Sequence, residues 1–171
     1  MMKRNANLLK IIAFTSICFI LAGCAGSTEN NLNTHAVVSC NTDTTQFQNY
    51  TPDQHYQAML ICIKEGDRDL TVVHYAMAGA TTWYEAKVSG DTLNKTRHQQ
   101  LLKQYIKGLP PQNKSFLGNA IRQVTEERAL LGALCKLIKS RPGVSVTQSV
   151  LAEEYWKEAV NGYLRCPDPN S

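Results

Sequence analysis

An all-α fold is predicted for residues 51–171 by three observations. Apolar residues recur at three- and four-residue spacings instead of alternating, the segments that carry them begin and end on helix-capping residues, and the breaks between them are short. The first segment opens on Thr51-Pro52-Asp53-Gln54, an N-cap threonine with proline at the first helical position and a glutamine placed to complete a capping box. Tyr56, Met59, Leu60 and Ile63 then share one face and Gly66 offers a left-handed exit, which predicts a helix over 52–65. Asp67 can cap the second segment, where Leu70, Val73, Met77, Ala80, Tyr84 and Val88 keep helical spacing. Ala76, Ala78, Gly79 and Ala80 leave room there for a neighbouring helix to approach closely. A third helix starts at Asp91 or Thr92, turns Leu101, Leu102, Tyr105 and Ile106 inward, and stops at Gly108 and Pro110-Pro111. The longest helix is expected from 114 to 139, with Leu117, Ile121, Val124, Leu131, Cys135 and Ile138 in a stripe that Arg128 interrupts. After Arg141-Pro142-Gly143, a second capping box, Ser145-Val146-Thr147-Gln148, leads into a fifth helix with Leu151, Ala152, Tyr155, Trp156, Ala159 and Tyr163 on one side.

About five helices with short connections are expected to make a single domain, either a bundle or stacked helical hairpins. The pairing of one helix with a second that is rich in small residues resembles tetratricopeptide-type repeats in shape. The period of about 34 residues that marks such repeats is absent.

Upstream of the domain, Met1-Met2-Lys3-Arg4 precedes an apolar stretch containing Ile11-Ile12-Ala13-Phe14 and then Leu21-Ala22-Gly23-Cys24. A charged start, an apolar middle and small residues before a processing site describe a secretion signal. The uncharged run from Ile11 to Gly23 has 13 residues, short of the ~18 expected of a spanning helix. Leu21-Ala22-Gly23-Cys24 resembles the lipobox of bacterial lipoproteins. That resemblance implies removal of residues 1–23, a diacylglyceryl group on the Cys24 thiol and a further acyl chain, such as palmitate, on the new amine. Ala25, in place of the aspartate of inner-membrane retention signals, implies the outer membrane facing the periplasm. Residues 24–50, rich in Asn, Thr, Ser and Gln, are expected to be a lipidated polar tether, with His35 inside it.

Loss of the signal removes Lys3, Arg4 and Lys10 and leaves 15 basic against 14 acidic residues, net +1. Such a chain gives no reason to expect a nucleic-acid partner. The charge that remains is uneven: from Lys87 to Arg141 there are eleven basic residues against three acidic ones, net +8. That excess reads either as a solvated surface or as an electropositive face for an acidic partner, an anionic lipid surface or the envelope polymer.

With Cys18 in the signal and Cys24 lipidated, Cys40, Cys62, Cys135 and Cys166 remain, enough for two disulfides in an oxidising compartment. An antiparallel hairpin of the last two helices would put Cys135 near its turn and Cys166 ~30 Å away, which disfavours that pair. Cys62 and Cys135 both lie on or beside the apolar face of a helix, which suits a bridge between helices, so the expected pairing is Cys62 with Cys135, leaving Cys40 to meet Cys166.

No cofactor or metal motif is present, since His55, His74 and His98 have no ligand-like spacing. His74 reads as a histidine at the edge of the core, and His98, among Arg97, Gln99 and Gln100, as solvated. Glu85 beside Trp83 and Tyr84 is a candidate general acid, with His74 the other weak catalytic candidate. Glu126-Glu127 and Glu153-Glu154 read as exposed faces. Trp83, Tyr84, Tyr155 and Trp156 can be interface anchors or core, and Arg122 and Arg128 can join them at an interface. Arg128 can also snorkel, or pair in the interior with Glu85 or Glu154. These features point to a membrane-anchored, non-catalytic protein-binding module of the envelope, such as an immunity or inhibitor protein or an assembly factor. An enzyme acting on the cell wall is the alternative.

Overall fold

The computed structural model describes residues 38–41, 44–91, 94–142 and 150–167. The signal at 1–23, Cys24, His35 and the capping box at 145–148 lie outside the described residues. Within them are seven helical segments and no strand: α1 (Thr44–Phe47), α2 (Pro52–Glu65), α3 (Arg68–Ser89), α4 (Asn94–Ile106), α5 (Pro111–Glu126), α6 (Arg128–Lys139) and α7 (Val150–Leu164). The fold is all-α, as the periodicity predicts. No helix among the described residues is long and apolar enough to cross a membrane.

Local chemistry fixes the start of the domain. The Thr51 side chain accepts from the Gln54 amide at 3.3 Å while Gln54 Oε1 accepts from the Thr51 amide at 2.8 Å, a closed capping box. Gly66 then ends α2 at φ 77°, a left-handed conformation that favours glycine. Asp67 accepts from the Leu70 amide at 2.9 Å and starts α3 one residue later. The tight turn makes α2 and α3 an antiparallel hairpin.

Helix α3 packs against α2, α4, α5, α6 and α7. One side of it carries Val73, Ala76, Met77, Ala80 and Tyr84 into a core shared with Phe47, Ile138, Trp156, Ala159 and Val160. Another side places Ala78 with Tyr56, Met59, Ile63 and Leu117, ringed by Leu101, Leu102, Tyr105 and Ile106 of α4. The contact with α7 depends on two glycines. A Cβ on Gly79 of α3 would overlap the Tyr163 ring of α7, and one on Gly162 of α7 would come within 3.0 Å of the Trp83 ring of α3. Each helix thus lodges an aromatic ring over the other's glycine.

Three expectations are corrected. The segment up to Tyr50 is not all tether: α1 forms within it, Phe47 and Tyr50 are buried, and the Ser39 amide donates to the Tyr50 hydroxyl at 3.3 Å. Composition averaged over 24–50 conceals these two aromatics, which fold because α2 and α3 offer them a surface. The helix expected over 114–139 is broken at Glu127, whose φ of −92° and ψ of 99° are extended. The break loses few hydrogen bonds, since the Glu127 amide still donates to the Gln123 carbonyl and the Leu131 amide to the Glu127 carbonyl, each at 3.0 Å. It rotates the second half of the apolar stripe toward α7, and the interruption at Arg128 is its mark in the sequence.

The third correction concerns the disulfides, which join Cys40 to Cys62 and Cys135 to Cys166, with Cα separations of 5.0 and 5.9 Å. The expected pairs, Cys62 with Cys135 and Cys40 with Cys166, are not formed. The register of α7 on α6 differs from that of a hairpin in which Cys135 lies beside the turn. Trp156, not the start of α7, lies opposite the end of α6, where its indole Nε1–H donates to the Ile138 carbonyl at 3.2 Å. Past Leu164 the chain reverses at Arg165, φ 53°, and brings Cys166 Sγ back to 3.8 Å from the Val160 carbonyl oxygen. Cys166 therefore sits only about one helical turn, ~6 Å, from the level of Trp156. A left-handed non-glycine residue costs about 1 kcal/mol, which the cross-link to α6 offsets.

Two outcomes are expected. Peptide mapping without reduction will recover 40–62 and 135–166 linked peptides, and a 62–135 peptide would refute this topology. Gly79→Ala will lower stability by about 1–3 kcal/mol in denaturant unfolding, because overpacking against Tyr163 outweighs the ~1 kcal/mol gain in helix propensity. An unchanged midpoint would show that α3 and α7 do not meet this closely.

Candidate functional site

Of the side chains singled out in the sequence, Trp83, Tyr84, Tyr155 and Trp156 come together along the α3–α7 seam. Tyr84 and Trp156 are 3% and 1% exposed, with ring centroids 6.1 Å apart edge to face. They fill the α3–α7 seam and leave no side-chain surface for a partner. Trp83 and Tyr155 border the same seam, Trp83 against Tyr163 and Tyr155 beneath the Lys87 ammonium at 4.8 Å. Lys87 also forms an ion pair with Glu158 of α7. Arg122 is exposed and donates to Asn119 on its own helix. Arg128 is exposed at the start of α6, so it is not an interior partner of a carboxylate.

Glu85 is partly buried on α3, and burial raises its carboxyl above the ordinary range while Arg97 opposes the shift. Arg97 of α4 lies 3.3 Å from Glu85 and 3.8 Å from Asp53 of α2, and the Tyr105 hydroxyl donates to Asp53 at 3.1 Å. Asp53 is the nearby carboxylate that sequence spacing could not identify. A guanidinium shared by both carboxylates ties three helices together, an arrangement suited to bracing more than to proton transfer.

The histidines lie deeper than expected. His98 is 5% exposed, contrary to its polar neighbours, because it precedes Leu101 and Leu102 by three and four residues and shares their inward face. Its Nδ1 meets the Tyr56 hydroxyl and its Nε2 lies 2.6 Å from the Tyr163 hydroxyl, joining α2, α4 and α7. Burial pushes its pKa down to about 4, so the ring is neutral, one nitrogen donating and the other accepting. His74 is fully buried, with its Nδ1 3.0 Å from Nδ1 of His55. Phe47 and Tyr50 close over the pair with ring centroids 5.1–6.2 Å away. Burial holds both imidazoles well below the ordinary histidine range, with repulsion from His74 adding to the effect at His55 and Asp67 opposing it at His74. Of the two catalytic candidates, His74 is thus enclosed and Glu85 is partly buried against Arg97. Among the described residues no cluster of three or more His, Cys, Asp or Glu side chains is arranged to hold a metal.

An open groove lies elsewhere, along α6 and α7. A groove of about 880 Å³ is lined by Arg128, Lys136, Lys139 and Ser140 of the α6 segment and Lys157 of α7, over a floor of Ala129, Gly132, Cys135 and Pro167. The Cys135–Cys166 bond fixes that floor, placing Pro167 3.7 Å from where a Gly132 Cβ would stand. Lys136 and Lys139 also complement the negative end of the α6 dipole. Lys157 lies 3.6 Å from Glu153, an exposed pair one turn apart that holds its ammonium only weakly. The net +8 of residues 87–141 signals this site only in part, because it misses Lys157, which the fold brings in from α7.

The buried histidines set a pH dependence. Their folded-state pKa values lie below that of the unfolded chain, so between pH 6.5 and about 4 the unfolded state binds more protons and stability falls as pH falls. The slope is about 1 kcal/mol per pH unit for each histidine. Guanidinium midpoints measured from pH 7.5 to 5 will show this decline, whereas a flat profile would mean solvated rings. Comparison with known families, characterised proteins and solved structures finds no match to this chain, so its functional reading rests on the groove and its surroundings.

Proposed function

We propose that this chain is a lipid-anchored protein of the bacterial envelope whose helical domain binds another protein without catalysing a reaction, the partner presenting an acidic segment to the α6–α7 groove. The observation that carries the reading is the gathering of Arg128, Lys136, Lys139 and Lys157 around one open groove with a disulfide-fixed floor. Mature net charge would be only +1, so this concentration is not a by-product of a basic composition. Clustered like charge raises the local concentration of an acidic partner and speeds encounter, and a rigid floor limits the ordering cost of docking. The Arg97 brace on Glu85 and the burial of His74 also favour binding over turnover. Inhibition of a delivered toxin and assistance to an envelope assembly are both roles of this kind. Acyl chains on Cys24 would hold the domain at the outer membrane, facing the periplasm, each buried methylene contributing ~0.8 kcal/mol.

The test is photo-crosslinking of the full-length protein in its native membranes, with the reactive residue placed at position 139. The expected result is an adduct mapped to a segment rich in Asp and Glu. Its yield should fall about tenfold with Lys136→Glu plus Lys157→Glu, and fall likewise at about 0.5 M salt. An adduct indifferent to charge reversal would sink the groove assignment. Peptidoglycan hydrolysis lost on Glu85→Gln, with the fold intact, would put the cell-wall enzyme ahead.

A further inference from the structure

A second concavity, about 490 Å³, opens between α3, α5, α6 and α7. Its walls are aliphatic: Val72 of α3, Ile121 and Val124 of α5, Leu131 and Leu134 of α6. Volume and lining fall in the range of small-molecule sites, which are mostly apolar with a few placed polar groups. The polar side chains along it are already engaged. Thr125 Oγ1–H donates to the Arg122 carbonyl of its own helix, and the Tyr163 hydroxyl is held by His98 and Tyr75. What Tyr163 offers the cavity is therefore ring surface. The exception is Arg165, the charged residue of the lining, exposed and without an ion pair among the described residues. It stands where the left-handed reversal after α7 leaves it, at φ 53°, and its neighbour Cys166 is bonded to α6. An apolar slot with one cation at its edge complements a ligand with one hydrocarbon chain and one anionic head.

We infer that this cavity binds a single-chain amphiphile with a carboxylate head, of the fatty-acid class, its chain between α3, α5 and α6 and its head on Arg165. The site is separate from the basic groove, and the inference does not depend on the partner proposed there. A carboxylate accepts two N–H bonds from one guanidinium, whereas a quaternary ammonium with the same tail would be repelled by it.

The test uses chain 25–171, exported without lipid, which keeps every described residue and both disulfides. Dodecanoate and dodecyltrimethylammonium, both below their micelle concentrations, are titrated calorimetrically at neutral pH. Dodecanoate should bind about tenfold more tightly or better. Arg165→Gln, an exposed change with the circular dichroism spectrum as its control, should abolish that preference while the tail still binds. Leu131→Trp should fill the slot and weaken both ligands. Equal affinity for the two head groups, no binding of dodecanoate, or a preference that survives Arg165→Gln would each overturn the assignment.

Discussion

Helix α3 can touch five other helices because the middle of it has almost no side-chain bulk. From Ala76 to Ala80 it presents Ala, Met, Ala, Gly, Ala, and the α3–α7 distance is set where Tyr163 occupies the space above Gly79. Much follows from that approach. The Tyr163 hydroxyl is carried to His98, which draws α4 in, and His98 in turn meets Tyr56 of α2. Trp156, two turns earlier on α7, is held against the end of α6 by its bond to the Ile138 carbonyl. Helix α7 also contributes to both concavities, Lys157 to one and Tyr163 to the other.

The sequence was most legible where the determinants are local. The capping box at Thr51, the exit at Gly66, the cap at Asp67 and the small residues of α3 each specify backbone or packing within a few residues of themselves, and the structure follows them. The break at Glu127 was only faintly marked: neither proline nor glycine stands there, only the interruption of the apolar stripe at Arg128, and the two halves pack on different neighbours. Phe47 and Tyr50 were hidden by the polar residues around them, although two aromatics close together in such a stretch are themselves a signal of docking. The disulfides could not be read from helix lengths because the register of α6 on α7 and the reversal at Arg165 are tertiary facts. Within the candidate groove, Arg128, Lys136 and Lys139 belong to the basic stretch seen in the sequence, but their meeting with Lys157 required the fold.

Tyr84 and Trp156, readable as anchors for a partner or as core, are core, while His98, expected to be solvated, is an interior link. Charge explains the second case. A neutral imidazole can both donate and accept, so it can join two tyrosine hydroxyls inside the protein where a lysine or arginine would require a counter-ion. The buried His55–His74 pair follows the same logic beneath Phe47 and Tyr50.

The placement of the two disulfides has a consequence for how the domain bears load. Cys40 is bonded to Cys62, deep in α2, and Cys166 to Cys135 of α6. Tension applied to the chain ahead of Cys40 would pass through the sulfur bridge into α2, bypassing α1 and the lid of Phe47 and Tyr50, which lie in the closed loop between. Tension applied beyond Cys166 would enter α6 in the same way and leave α7 slack. A domain tugged from both sides would therefore carry the strain along the chain between Cys62 and Cys135, while α7 stays outside the path of the force.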